Sequence, residues 1–159
     1  MTSTMRAEAL AIPDLVERAL AAQGDVIAAV AGAVRAFAPE GVVTVARGTS
    51  DHAADYALRL IARETGLIAT SLPPSLVTLA PTPLRFEGQL VLALSQSGRS
   101  PDVVQTVTAA RAGGALTVAV VNAPQSPLAD AAELVVAADA GPEHAVAATK
   151  SYVLTLLQV

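Results

Sequence analysis

This chain contains no cysteine and no tryptophan. The missing thiols exclude disulfides, thiolate nucleophiles and cysteine-based zinc sites, and they fit a cytoplasmic protein. Aromatic residues make up only 3% of the sequence and a single lysine, Lys150, is present. Basic residues are scattered and the net charge is −4. Neither a basic groove nor a stacking platform for nucleic acid can be assembled from such material. Long apolar runs are also missing: although 53% of the residues are hydrophobic, Arg, Asp, Ser or Pro interrupts each stretch before it reaches the ~18 residues of a membrane span. Met1-Thr-Ser-Thr-Met-Arg6 is not followed by a signal-type apolar segment.

What is present is a regular alternation of apolar runs and helical periods. Apolar spacing predicts helices over 4–11, 14–23 and 25–37, the first ended by Ile12-Pro13. Strands are predicted over 42–46, 67–71, 90–94, 116–121 and 134–137, with helices over 51–64, 102–111, 128–132 and 145–159. Residues 72–78 read as a loop or the start of a helix. The strands are apolar throughout, as in a parallel sheet covered by helices on both faces. The fold class is therefore α/β, a three-layer α-β-α sandwich with a five-stranded parallel sheet, preceded by N-terminal helices. In such sheets a ligand sits beyond the carboxyl ends of the strands, near the reversal of strand order. Val153-Leu-Thr-Leu-Leu-Gln-Val159 still reads as helix where the sequence stops, so the expectation is one half of a longer protein.

Three polar segments carry the candidate chemistry. Ser95-Gln-Ser-Gly-Arg-Ser100 follows a strand and precedes a helix, with Ser100 as N-cap, Pro101 at the first position and Asp102 in the first turn. Hydroxyls, an amide and free N–H groups at a helix N-terminus suit a phosphate; the same pattern also serves a plain capped turn. Arg47-Gly-Thr-Ser50 repeats the design after the first strand, with His52 in the next helical turn, either a catalytic or a packing histidine. Glu143, in Ala140-Gly-Pro-Glu-His-Ala-Val-Ala-Ala-Thr-Lys150, suits either a helix dipole or a proton-transfer role. Neither a P-loop nor a dinucleotide glycine pattern is present.

Taken together, Gly48-Thr-Ser-x-His-Ala53, Ser95-Gln-Ser-Gly98 with Ser100, Gly113-Gly-Ala-Leu-Thr117 and Ala140-Gly-Pro-Glu143 through Ala148-Thr-Lys150 resemble the sugar isomerase (SIS) domain family. The likeness is to the isomerase half of glucosamine–fructose-6-phosphate aminotransferases and their stand-alone two-domain relatives, with Met5-Arg-x-Glu8 and Ile12-Pro13 similar to the family's helical lead-in. The resemblance implies a lead-in over 1–38 and a phosphosugar-binding domain over 39–159. It implies that Ser95, Gln96, Ser97 and Ser100 hold the phosphate, and that Gly48, Thr49, Ser50 and the backbone near Val146 and Ala147 meet the sugar. Neither metal nor redox cofactor is implied.

The family chemistry interconverts aldose and ketose phosphates, with amination or deamination at C2 in this branch. Its isomerising carboxylate, ring-opening histidine and Schiff-base lysine come from a second SIS domain and do not map here, so no catalytic residue beyond the candidates Glu143 and His52 is assigned. That second domain, or a second copy in a dimer, is the expected partner, beside the sugar phosphate itself. Arg47 stands where many relatives have a small residue, and Arg99 where an acid is common. Two other readings are a sugar-phosphate sensor domain of a regulator, which needs an attached DNA-binding module, and a flavodoxin-like electron carrier, which would place its phosphate loop after the first strand.

Overall fold

A computed structural model describes residues 3–80, 82–145 and 147–159. Three helices lead, α1 (Thr4–Leu10), α2 (Ile12–Ala22) and α3 (Gly24–Phe37). Then come β1 (Gly41–Ala46), α4 (Thr49–Thr65), β2 (Ile68–Ser71), the short α5 (Ser75–Thr78) and β3 (Gln89–Ser95). The chain continues through α6 (Pro101–Ala112), β4 (Leu116–Val121), α7 (Pro127–Ala131), β5 (Leu134–Ala137) and α8 (Lys150–Leu157).

The strands form one parallel five-stranded sheet in the order β2-β1-β3-β4-β5. β1 and β3 are adjacent from Gly41↔Gln89 to Ala46↔Leu94. Both therefore end together, and the chain leaves them in opposite directions across the sheet: β1 leads to the edge strand β2, and β3 leads to β4. This is the switch point at which an open α/β sheet presents a crevice.

Side-chain alternation along the strands builds two cores. Val42, Leu90, Leu92, Leu94, Val118 and Val120 face one side, where Ala53, Ala54 and Ala57 of α4 pack, flanked by residues of α3 and α8. Small residues on α4 let that helix lie close to the sheet. Val45, Val91, Ala93 and Ala119 face the other side, against Val103, Val107 and Ala110 of α6 and Leu128 of α7. Burying each Leu or Val of this kind stabilises the fold by about 1.5–3 kcal/mol. A smaller third cluster joins Leu15 and Ala19 of α2 to Ala138, Ala140 and Leu154. The expected three-layer sandwich is thus present. No single helix is long and apolar enough to cross a membrane among the described residues.

Two boundaries differ from the sequence reading. Ile12-Pro13 does not follow a terminated helix at a distance; Ala11 serves as the joint, α2 begins at Ile12, and Pro13 sits in its first turn, where a missing N–H costs nothing. The last helix does not begin at Ala145. It begins at Lys150, because the backbone N–H groups of Thr149, Lys150 and Ser151 are taken by the Glu143 carboxylate rather than by continued helix.

Candidate functional site

The loop after β1 starts with Arg47 and turns at Gly48, whose backbone (φ 57°, ψ −132°) is open to glycine almost alone. Thr49 and Ser50 then open α4. The loop after β3 turns at Gly98 (φ 63°). A side chain at Gly98 would put its Cβ 2.6 Å from Ser126 Cβ and 3.0 Å from Val121 Cγ2, so the loop lies directly on the start of α7. The Leu128 N–H donates to the Gly98 carbonyl at 3.0 Å and fixes this contact.

Both loops line one cavity of about 230 Å³, together with Ala148: Arg47, Thr49 and Ser50 from the first, Ser95, Gln96, Ser97 and Ser100 from the second. All four residues expected at a phosphate are therefore brought together with two of those expected at a sugar. Gly48 shapes the turn between Arg47 and Thr49. Ala147 is exposed beside the lining residue Ala148, and Val146 lies outside the described residues. His52 is exposed on the first part of α4 and does not line this cavity.

Donor orientation follows from the loop's internal bonds. Ser95 Oγ accepts the Gly98 N–H at 3.0 Å, and Ser97 Oγ accepts the Arg99 N–H at 3.3 Å. A hydroxyl that already accepts keeps its proton for another acceptor. Ser100 stands at the N-cap of α6 but does not cap it. Asp102 does that work instead, its Oδ1 accepting the Val103 N–H at 2.9 Å. The Ser100 hydroxyl is left for the cavity, which corrects the expectation of a capping serine.

Charge at the cavity mouth is paired. Arg47 Nε donates to Asp102 Oδ2 at 2.6 Å, and a second guanidinium nitrogen reaches the same oxygen. Burial raises the Asp102 carboxyl, but the Arg47 bonds and charge and the Val103 N–H outweigh it and hold the group below its ordinary value. The cavity lining contains no carboxylate and no imidazole. Among the described residues, no group of three or more metal-ligating side chains comes together.

A second, open hollow of about 460 Å³ shares Gln96 and Ser97 and extends past Arg99 and Asn122 to Gly141, Pro142 and Glu143. A larger groove of about 950 Å³ between α2 and residues 139–142 carries neither hydroxyl loop, so size does not mark the site.

Glu143 is held from several sides. Its Oε1 accepts from Thr149 and Lys150 N–H at 2.8 Å each and from Ser151 N–H at 3.3 Å, and Ser151 Oγ bonds Oε2. Burial pushes its carboxyl up; the Ser151 hydroxyl and the three N–H groups prevail and leave it below the ordinary glutamate value of 4.5. A carboxylate so engaged caps α8 from six residues upstream of Thr149. Asn122 directly follows β4. Its side chain accepts the Ala140 N–H at 2.7 Å and donates to the Gly141 carbonyl at 3.0 Å, which ties the end of β4 to the loop after β5.

Several known proteins share this fold or sequence. A solved structure from Silicibacter pomeroyi DSS-3, provisionally assigned as a phosphosugar isomerase, superposes with a TM-score of 0.94 at 40% identity, over 99% of this chain and 48% of that one. The isomerizing glutamine–fructose-6-phosphate aminotransferase of Thermococcus kodakarensis is 31% identical over 92% of this chain and 25% of its own length. The Vibrio vulnificus NanR protein, solved with ManNAc-6P, shares the fold with a TM-score of 0.76 at 18% identity, over 96% of this chain and 58% of that one. The chain thus spans about half or less of several of its relatives. The sequence model of the SIS domain matches residues 39–159, and the chain belongs to the SIS domain family.

Proposed function

We propose that the chain binds a phosphorylated amino or keto sugar of the glucosamine 6-phosphate and fructose 6-phosphate type. In this reading it is the first SIS half of a hexose-phosphate isomerase, aminotransferase or deaminase. One observation carries the proposal: hydroxyl-bearing loops from two adjacent central strands, β1 and β3, line a single cavity at the switch point. The phosphate takes the end formed by Ser95, Gln96, Ser97 and Ser100, where short neutral donors and the N-terminus of α6 favour an anion. Thr49 and Ser50 meet the sugar hydroxyls, and Ala148 supplies a wall.

Proton transfer between C1 and C2 needs a base in reach of the substrate. The cavity offers none, and Glu143 is committed to four donors. The chain alone therefore binds and orients substrate, and the acid–base groups come from a second SIS domain or a second copy. Similarity to the Silicibacter and Thermococcus proteins, at 40% and 31% identity, supports a sugar phosphate as the ligand class.

Titration calorimetry with glucosamine 6-phosphate and fructose 6-phosphate tests it. The wild-type chain binds and does not interconvert the two, and Ser97→Ala weakens binding by ~1–3 kcal/mol through a lost charge-assisted bond. Equal affinity in that variant removes the phosphate assignment.

A second reading, a sensor domain that binds the same ligand class without converting it, draws support from a lining without carboxylate or imidazole among the described residues and from the NanR fold likeness. Turnover restored by adding the second domain separates the two readings.

A further inference from the structure

The described residues between β5 and α8, 138–145 and 147–149, form neither helix nor strand, and Ala148 and Glu143 from this stretch line the two hollows of the site. Irregular backbone beside a ligand needs outside partners for its polar groups. Asn122 supplies them at Ala140 and Gly141, and Glu143 supplies them at Thr149, Lys150 and Ser151. Between these two anchors, His144 and Ala145 donate their N–H groups to the two oxygens of one carboxylate, at 2.6 Å and 3.2 Å. That carboxylate belongs to Glu8, at the other end of the chain.

Glu8 is the one buried residue of α1, at 7% exposure, while Met5 and Leu10 of the same helix are 42% and 69% exposed. A surface helix ordinarily buries its apolar stripe and turns its charges outward. Here Met5 and Leu10 face out together with Arg6, and the carboxylate faces in. Burial of a carboxylate is costly unless it is hydrogen-bonded, and an apolar residue would dock the helix more cheaply. The feature that an apolar residue lacks is the pair of acceptors that holds two specific backbone N–H groups.

Resting on the phosphosugar reading, we propose that Glu8 is a positioning residue for the ligand cavity. Helix α1 acts as a latch whose carboxylate fixes the backbone at His144 and Ala145 and so positions the wall at Ala148. Undocking of α1 frees that wall and lowers affinity, which gives the N-terminal helix control over a site it does not touch.

Two variants of the full chain, Glu8→Ala and Glu8→Gln, test the latch by amide hydrogen exchange and by calorimetry with glucosamine 6-phosphate. Glu8→Ala loses exchange protection at His144 and Ala145, keeps it in β1, β3 and β4, and binds about tenfold more weakly at temperatures well below its unfolding midpoint. Glu8→Gln retains one acceptor oxygen and shows a loss of about threefold. Wild-type affinity in Glu8→Ala with its two amides exposed overturns the positioning role. Unchanged protection overturns the contact itself. If Glu8→Ala does not fold, Glu8→Gln decides, and wild-type binding in that variant counts against the proposal. Failure of the wild-type chain to bind any hexose phosphate defeats the phosphosugar reading instead, while the exchange result still reports on the contact.

Discussion

Two walls of the same cavity are built in different ways. The wall formed by residues 95–100 is held by its own short-range bonds: Ser95 and Ser97 accept from N–H groups two or three residues ahead, and Gly98 lets the loop lie on Ser126. The wall formed by residues 140–145 and Ala148 is held from afar, by Asn122 just after β4 and Glu8 on α1. A wall with local partners forms wherever its strand and helix form. A wall with distant partners forms only when the rest of the molecule is assembled, and it can be loosened without disturbing the sheet.

The largest expected effect lies in the local wall. Gly98→Ala adds a Cβ to a positive-φ position already in contact with Ser126 and Val121, and is expected to lower unfolding free energy by about 3 kcal/mol in urea titration. Adding Ser126→Gly recovers the steric part and leaves the backbone part. A neutral Gly98→Ala would erase the contrast, since the local wall would then tolerate what its geometry forbids.

The next effect concerns the distant wall's own cap. Glu143→Gln is expected to cost about 1–2 kcal/mol, by loss of charge at the N-terminus of α8 and weaker bonds to Thr149, Lys150 and Ser151. The sign of its pH dependence follows from the lowered folded-state value. The stabilisation by Glu143 is complete above the unfolded value near 4.5 and is lost as pH falls through the folded value. Thermal melts from pH 6 downward therefore converge for wild type and Glu143→Gln in acid. A constant gap between them at all pH values would assign the cap a steric rather than an ionic origin.

The smallest effect belongs to the mouth. Arg47 is 57% exposed, so Arg47→Ala should change stability by no more than about 0.5 kcal/mol in the same titration. It should instead reduce the salt dependence of sugar-phosphate binding, because a cation at the mouth is removed. A stability loss several times larger would make the Arg47–Asp102 pair a third anchor and blur the distinction between the two walls.

What the sequence made legible divides along the same line. The five strands stand where β-branched and apolar runs are bounded by Gly, Pro and Ser, and the helices α4 and α6 follow their loops as expected. Ser95, Gln96, Ser97, Thr49 and Ser50, which line one cavity, stand out in the sequence because a hydroxyl cluster between an apolar strand and a helix start is a pattern within ten residues. Ser100 shows the limit of that pattern: the capping rule was right about position, but the neighbouring Asp102 took the N–H. The start of α8 was misplaced because apolar spacing from Ala145 onward is helical, and nothing in that spacing records that Glu143 folds back on Thr149. Asn122 carries no local signal, and Glu8 stands out only through the likeness of Met5-Arg-x-Glu8 to the family's lead-in, with nothing there to mark its partners. Their partners lie 18 and 136 residues away in sequence, and only the fold brings them together.

The parallel pairing of β1 with β3 has an effect on how occupancy and folding are linked. The hydroxyl residues that line the cavity sit at the ends of two strands that become neighbours only after α4, β2 and α5 have been laid down between them. An unfolded chain therefore lacks the two-loop cavity even where one loop forms locally, and on the proposed reading a bound sugar phosphate favours the native state. At a concentration a hundredfold above its dissociation constant it would add about 2.7 kcal/mol to that state. A rise in melting temperature with added hexose phosphate thus reports that the two central strands have met.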